Sequence, residues 1–155
     1  STAAQFRLDE TMKIMRELGG DRAAEVSHQF FSNPSQGAYD TYGEVCLPLY
    51  SNPNAPEASA FRERAIERPE VALHFFADEM VTMDMRAEIA NITCPTLVIG
   101  GTRDPVTPTL CSQVITDSIG ENACLQMFEG CGHGPHRDDP DGAEKVMRRF
   151  LDTSI

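Results

Sequence analysis

The sequence is short of positive charge. Its 155 residues include 13 Lys and Arg against 24 Asp and Glu, which gives a formal net charge of −11. This balance opposes attraction to phosphate backbones and to anionic lipid surfaces. The sequence also has no apolar run long enough to span a bilayer, and residues 1–7 lack the features of a signal peptide. We therefore expect a soluble, cytoplasmic protein with neither nucleic acid nor membrane as a partner.

Paired cysteine motifs are absent as well. The five cysteines are an odd number and none of them forms a Cys-x-x-Cys pair. This pattern indicates neither a complete disulfide framework nor a four-thiolate zinc site. We expect reduced and mostly buried thiols, with Cys94 and Cys111 in the core, and reduced thiols favour the cytoplasm.

The first half of the sequence has the pattern of helices separated by loops. Apolar residues at helical spacing predict helices over residues 6–18 and 69–80, and a third helix is predicted between Asp21 and Asn33. A charged helix is predicted over residues 57–68. Residues 35–58 are rich in Pro, Asn, Tyr and Gly, a composition that predicts irregular structure.

The pattern changes after Ile92. The short β-branched run at Thr96–Ile99 predicts a buried parallel strand, and the extended run at Cys124–Phe128 predicts a second strand parallel to it. Residues 108–119 between them predict a crossover helix. Apolar positions from Ala143 to Leu151 recur at helical spacing and predict a final helix that covers the sheet. The predicted fold class is therefore α/β.

Two polar loops follow the predicted strands and carry Asp104 and His133. Ligands of parallel sheets bind beyond the carboxyl ends of the strands, so the two side chains are predicted to face each other there. A carboxylate in that place could orient an imidazole and stabilise its protonated form. Two alternatives to this pairing remain. Asp104 and His133 can be ordinary loop residues, because Asp-Pro begins many turns and a histidine between glycines often lies in a loop. Cys131, His133 and His136 could also be zinc ligands.

Residues 92–108, ITCPTLVIGGTRDPVTP, resemble the acid-bearing segment of α/β-hydrolases, and Asp84-Met85-Arg86 resembles its lead-in. Gly130-Cys131-Gly132-His133, followed by Asp139-Pro140 and a helix, resembles the histidine segment of that family. The resemblance implies that residues 84–155 are the carboxyl-terminal part of a doubly wound sheet, with its last two parallel strands and covering helices. Residues 1–83 are similar to the helical lid of proline iminopeptidase-like members, and we call them the cap.

The resemblance implies a serine hydrolase in which Asp104 is the acid and His133 the base of a catalytic triad, with no metal or organic cofactor. The family's nucleophile precedes the acid in a Gly-x-Ser-x-Gly elbow, and this pentapeptide does not occur in the sequence. We therefore expect a complementary amino-terminal polypeptide that carries the serine and the remaining strands.

The expected substrate is a small ester, amide or peptide. Proline iminopeptidase-like cleavage is the first specific hypothesis, and an esterase or lactonase is the second. The acidic residues of the cap could suit an amine-bearing substrate, although a solvated helix face also explains them. The competing hypothesis is a non-catalytic binding or regulatory module, in which Asp104 and His133 are structural polar residues.

Overall fold

The computed structural model describes residues 8–54 and 65–154, and its first half is helical. Helix α1 spans Leu8–Ser32 and is broken at Gly20, whose φ of 75° and ψ of −172° are not helical. The predicted break near Gly19-Gly20 is confirmed, because glycine adopts such a φ at little cost. The two parts of α1 bury Met15, Ala23 and Phe30, so both face one core.

The prediction of irregular structure over residues 35–58 is wrong for its first part. Helix α2 spans Gln36–Val45, and a turn of 3₁₀ helix spans Leu47–Tyr50. Ser35 begins α2 because its side chain accepts a hydrogen bond from the Ala38 backbone amide at 3.3 Å. Ala38 and Tyr42 then bury one face of the helix. The Ser35 hydrogen bond at the start of the helix and the apolar spacing within it outweigh the turn-like composition of the segment.

The next predicted helix, over residues 57–68, lies mainly outside the described residues, and residues 65–68 are not helical. The helix predicted from Pro69 is confirmed. Helix α3 spans Pro69–His74 and continues through a π-helical turn at Phe75–Glu79 into Met80–Thr82. A short helix α4, Arg86–Ile89, leads to the sheet.

The predicted strand, helix, strand unit is confirmed. Strand β1 spans Thr96–Gly101, helix α5 spans Thr109–Ile119 and strand β2 spans Ala123–Phe128. The two strands pair in parallel, with Thr96 opposite Ala123 and Gly101 opposite Phe128. The α/β class is therefore correct, and the carboxyl ends of both strands lie at one edge of the sheet.

Two helices close the chain. The short helix α6 spans Pro135–Asp138 and helix α7 spans Pro140–Ser154. Asp139 begins α7, since its Oδ1 accepts a hydrogen bond from the Gly142 backbone amide at 3.0 Å. Ala143 and Val146 of α7 pack near Phe128 and Cys131 at the end of β2. The final predicted helix is confirmed.

Apolar side chains of the described residues gather in two clusters. One lies within the cap and is formed by α1, α2 and their neighbours, with Met15, Phe30, Tyr42 and Cys46 at its centre. The other lies between β2 and α7. No helix in the described part of the chain combines the length and the apolar character needed to cross a membrane.

The cysteine predictions are confirmed only in part. All five thiols are free, and Cys46, Cys111 and Cys131 are buried. Cys94 and Cys124 are exposed, so the prediction of a core position for Cys94 is wrong. Cys94 lies two residues before β1 begins, and the covering elements therefore do not reach it.

Candidate functional site

The loops after β1 and β2 are joined by backbone hydrogen bonds. The Thr102 amide donates to the Phe128 carbonyl at 3.0 Å, and the Arg103 amide donates to the Cys131 carbonyl at 2.9 Å. In return, the Gly130 amide donates to Thr102 Oγ1 at 2.9 Å. These bonds hold the two loops side by side at the carboxyl edge of the sheet, where parallel α/β folds place their ligands.

Asp104 and His133 meet between these loops. Asp104 Oδ2 lies 2.9 Å from His133 Nδ1, a hydrogen-bond distance. The Asp104 side chain is 5% exposed, whereas that of His133 is 36% exposed. The predicted juxtaposition is therefore present, with a buried carboxylate behind an imidazole that solvent reaches.

Asp104 is held by the turn that follows it. Its Oδ1 accepts hydrogen bonds from the backbone amides of Val106 at 2.7 Å and Thr107 at 2.9 Å. Its Oδ2 accepts a further bond from Thr107 Oγ1 at 2.7 Å. Such local bonds to the next two or three residues are typical of Asp before a turn. They orient the carboxylate so that one face of Oδ2 remains for His133.

The surroundings of Asp104 act on its pKa in opposite directions. Burial is the largest influence and raises the pKa. The hydrogen bond and positive charge of His133, together with the bonds from Thr107, lower it, and the net pKa is below the ordinary 3.8. Donors aimed at the charged form outweigh desolvation here. Asp104 is therefore an anion in the folded protein at neutral pH.

This lowered pKa predicts how stability depends on pH. The unfolded chain binds a proton at Asp104 more readily than the folded chain does. The carboxylate therefore contributes to stability at pH values above about 3.8, its ordinary pKa. That contribution is lost as the pH falls through the lower folded pKa. We expect the free energy of unfolding of the wild type to exceed that of Asp104→Asn at pH 6, and the gap to close with acidification.

Denaturant unfolding of both variants between pH 6 and pH 2 measures this gap. At pH 6 we expect about 2 kcal/mol, the scale of a hydrogen-bonded charged acceptor in a protein interior. A gap that is constant over the whole range would contradict the lowered pKa.

The cap contacts the histidine loop through Tyr50. The His133 backbone amide donates to the Tyr50 carbonyl at 2.6 Å. The Tyr50 ring meets the imidazole edge to face, with 5.5 Å between ring centroids, and its hydroxyl lies 2.7 Å from that of Tyr42. The 3₁₀ turn of the cap thus packs against the backbone and the ring of His133.

Gly132 permits this approach. A Cβ at this position would overlap the Tyr50 carbonyl and would lie 3.3 Å from Ser51 Cα. Both neighbours belong to the backbone and cannot rotate away as a side chain could. The close contact between the cap and the histidine loop therefore depends on a residue without a side chain.

We expect Gly132→Ala to lower the free energy of unfolding by about 1–3 kcal/mol, the usual cost of forcing an extra carbon into a packed site. Gly37→Ala is the matched control, because Gly37 lies in α2 and a Cβ there meets nothing within 4 Å. That control should be neutral or stabilising by up to about 1 kcal/mol. Equal effects of the two substitutions in denaturant unfolding would contradict the close approach.

The three residues considered as zinc ligands are not brought together. Cys131 is buried and His136 is exposed, while His133 faces Asp104. No group of three or more His, Cys, Asp or Glu side chains within residues 8–54 and 65–154 has an arrangement that could hold a metal ion.

A cavity of about 470 Å³ lies in the cap beside Tyr50. Its walls are largely aromatic and include Phe30, Tyr42 and Phe76. Three carboxylate residues, Asp40, Glu44 and Glu67, also line it, and none of its lining residues in the described part of the chain is basic. Because Tyr50 lines the cavity and also touches His133, the cavity and the histidine share one wall.

Sequence reasoning missed three residues of this region, namely Thr107, Tyr50 and Asp138. Asp138 Oδ2 accepts backbone hydrogen bonds from Asn52 at 2.9 Å and from Gly132 at 2.7 Å. Thr107 could have been found, because an Asp followed by a hydroxyl residue three positions later is a known turn pattern. Tyr50 and Asp138 act across long separations in sequence and leave no local signal.

A family model described as TAP-like protein matches residues 79–154. An uncharacterized protein of Mycobacterium tuberculosis is 32% identical over 99 residues, which cover 64% of this chain and 27% of that protein. Karrikin insensitive 2 receptor IA of Petunia hybrida is 26% identical over 88 residues, or 57% and 32% of the two chains. The protein named as carbamate hydrolase RutD of Pseudomonas syringae is 33% identical over 72 residues, or 46% and 27%.

Solved structures extend the similarity over nearly the whole chain. An esterase from Exiguobacterium antarcticum superimposes with a TM-score of 0.59 at 20% sequence identity, covering 94% of this chain and 48% of the esterase. At this identity the match concerns the fold alone. The chain spans about half of that structure and about a third or less of the curated relatives above.

Proposed function

Because this chain belongs to the α/β-hydrolase fold family, we propose that it is the carboxyl-terminal part of a serine hydrolase that transfers acyl groups to water. The single observation that carries the proposal is the 2.9 Å bond between buried Asp104 and half-exposed His133. An ionised carboxylate that holds one imidazole nitrogen, with solvent access to the ring, is the arrangement that general-base catalysis requires.

In this proposal His133 is the proton carrier. With Asp104 ionised, the Nδ1 proton of a neutral His133 is held by Asp104 Oδ2, and Nε2 has its lone pair available. Nε2 accepts the proton of the attacking serine and later returns it to the leaving group. Asp104 fixes the tautomer and stabilises the imidazolium that forms. The bonds from Thr107 keep the carboxylate in place throughout.

The serine is proposed to come from a complementary amino-terminal polypeptide, and we call its assembly with this chain the complete hydrolase. The sequence contains no Gly-x-Ser-x-Gly elbow. The described sheet has two parallel strands, and parallel sheets are normally larger and covered on both faces. Additional strands beside β1 or β2 would satisfy their unpaired edges.

We retain the division into a cap, residues 1–83, and a core segment, residues 84–155, as part of the proposal. The aromatic cluster of the cap and the cluster between β2 and α7 are separate, which supports it. In this arrangement the cap covers the histidine and its cavity receives the substrate.

The cavity favours a small ester or amide whose acyl part is apolar and bears an amine. Aromatic faces and carboxylates both attract an organic cation. Burial, and then the charges of Glu67, Asp40 and Glu70, raise the pKa of Tyr39 on the cavity wall, and these nearby carboxylates support a preference for a cationic group. An aminopeptidase resembling proline iminopeptidase is thus our first specific proposal, and an esterase is the second.

Alanine p-nitroanilide and its N-acetyl derivative separate these two proposals. An aminopeptidase should prefer the free amine, and Glu67→Gln should reduce that preference about two- to fivefold, the scale of a solvent-accessible charge pair. Glu88→Gln is the control, because Glu88 lies in α4 and does not line the cavity. Equal rates on the two substrates would favour the esterase.

Hydrolysis of p-nitrophenyl acetate tests the general proposal. The complete hydrolase should turn over this ester, and the chain alone should not, because it lacks the nucleophile. Turnover by the chain alone would show that a residue of this sequence is the nucleophile, and the proposed division of the triad would be wrong.

A non-catalytic module is the second candidate function. It is favoured by one observation, the similarity to a petunia protein named as a receptor. In that case the cavity would bind a small ligand that is not consumed. Stoichiometric binding to a complete hydrolase that shows no turnover on esters or anilides would support the module and oppose the enzyme.

A further inference from the structure

Asp138 joins two segments that are distant in sequence. One oxygen, Oδ2, accepts the backbone amide of Asn52 in the cap and that of Gly132 in the histidine loop. Asn52 and Asp138 are 86 positions apart. A charged acceptor makes stronger hydrogen bonds to backbone amides than a neutral one does. The carboxylate is therefore a bridge between the cap and the residue that immediately precedes His133.

The bridge continues into His133 itself. The His133 amide donates to the Tyr50 carbonyl at 2.6 Å, so cap residues 50–52 are joined to residues 132–133 by this direct bond and through Asp138. The amide of Gly132 and the amide of His133 are both fixed. Because these two peptide groups set the direction in which the His133 side chain leaves the backbone, their anchors also set the direction of the imidazole.

The other oxygen of Asp138 has no such partner. Oδ1 is buried and makes no hydrogen bond with the described residues. A buried carboxylate oxygen without a partner costs stability, so its presence calls for an explanation. The two hydrogen bonds that Oδ2 accepts supply one, because they need a carboxylate at this place.

We propose that Asp138 is a positioning residue that couples the location of the cap to the orientation of the catalytic histidine, an inference that rests on the proposed function. When the cap sits against the histidine loop, Asp138 holds Asn52 and Gly132 together and the imidazole faces Asp104. When the cap moves away, Oδ2 loses the Asn52 amide and the His133 amide loses the Tyr50 carbonyl, so that of these three bonds only the one from Gly132 remains. The imidazole is thus fully aligned only under a closed cap.

Hydrogen exchange of backbone amides in the 155-residue chain tests the bridge without any turnover. In Asp138→Ala the amides of Asn52 and Gly132 should both exchange at least about tenfold faster, the effect of losing a charged acceptor. In Asp138→Asn, whose amide oxygen can still accept, the increase should be smaller but should again affect both amides. If Asp138→Ala does not fold, the asparagine variant alone decides the test.

Asp139→Ala is the matched control. It removes the neighbouring carboxylate, which begins α7 through the Gly142 amide, and it should speed exchange at Gly142 while leaving Asn52 and Gly132 unchanged. The bridge would be overturned if only one of the two amides responded to the Asp138 variants. It would also be overturned if either amide were unprotected from exchange in the wild type.

Turnover of the complete hydrolase tests the coupling. Asp138→Ala should lower kcat about a hundredfold, as expected for a misplaced catalytic group, and should change KM less than about threefold. Asp138→Asn should restore most of kcat, and Asp139→Ala should leave kcat unchanged. An unchanged kcat in Asp138→Ala would overturn the positioning role. Failure of the proposed function is distinguishable, because the complete hydrolase would then show either no turnover or a turnover that His133→Ala leaves unchanged.

Discussion

His133→Ala in the complete hydrolase is expected to lower kcat by about 10³- to 10⁶-fold, the range for removal of the general base of a serine hydrolase. Without the imidazole, no group beside Asp104 is positioned to take the proton of the serine. The backbone contacts of residue 133 do not depend on its side chain, so the variant should fold. Burst and steady-state release of p-nitrophenol from p-nitrophenyl acetate measure the loss.

His136→Ala is the control for this prediction. His136 is exposed in α6, three residues beyond His133, and its loss removes an imidazole without touching Asp104. Its kcat should stay within about twofold of the wild type, because surface substitutions away from a site have small effects. Wild-type turnover in His133→Ala would remove the basis of the proposed mechanism.

Asp104→Asn is expected to lower kcat by about 10⁴-fold, as for the same exchange in other triads. The amide oxygen can still accept the Val106 and Thr107 backbone bonds that Oδ1 now accepts. The amide nitrogen would then face His133 Nδ1 and donate to it. This forces the proton to Nε2, the nitrogen that must accept the proton of the serine. The pH dependence of kcat and the ¹⁵N chemical shifts of His133 report the change of tautomer.

Thr107→Val is the matched control for Asp104→Asn. It removes the 2.7 Å hydroxyl bond to Oδ2 but keeps the carboxylate and its charge. We expect kcat to fall by about tenfold or less, the effect of one neutral donor. If kcat fell equally in the two variants, the role of Asp104 would be to hold the turn at residues 104–107 in place, and not to set the tautomer of His133.

Local patterns in the sequence were sufficient to predict the sheet. The β-branched run before Gly100, the apolar spacing of α5 and the extended run before Gly130 each lie within about a dozen residues. The parallel pairing of β1 with β2 follows from their order, since a helical crossover returns the chain in the same direction. The meeting of Asp104 with His133 then follows, because both loops leave the same edge.

The remaining parts of the site depend on contacts between distant residues. Nothing near Asn52 or Tyr50 indicates that this turn packs on a loop some eighty residues later, because the hydrogen bonds that the turn makes there use its backbone groups, which every residue has. Helix α2 was missed for a different reason. Its Tyr and Gly content is typical of loops, and only the Ser35 side chain with the buried spacing of Ala38 and Tyr42 reveals the helix.

The same reliance on backbone groups has an evolutionary consequence. The contacts of the Tyr50 carbonyl and the Asn52 amide do not depend on which side chains those positions carry. The exposed carboxylates of the cavity lining, Asp40, Glu44 and Glu67, can therefore be exchanged without loss of these backbone contacts, whereas Phe30 and Tyr42 belong to the apolar cluster of the cap. A lineage with this architecture can acquire new substrates by drift in the cavity lining, and a protein engineer can diversify those positions as a library while Gly132 and Asp138 are kept fixed.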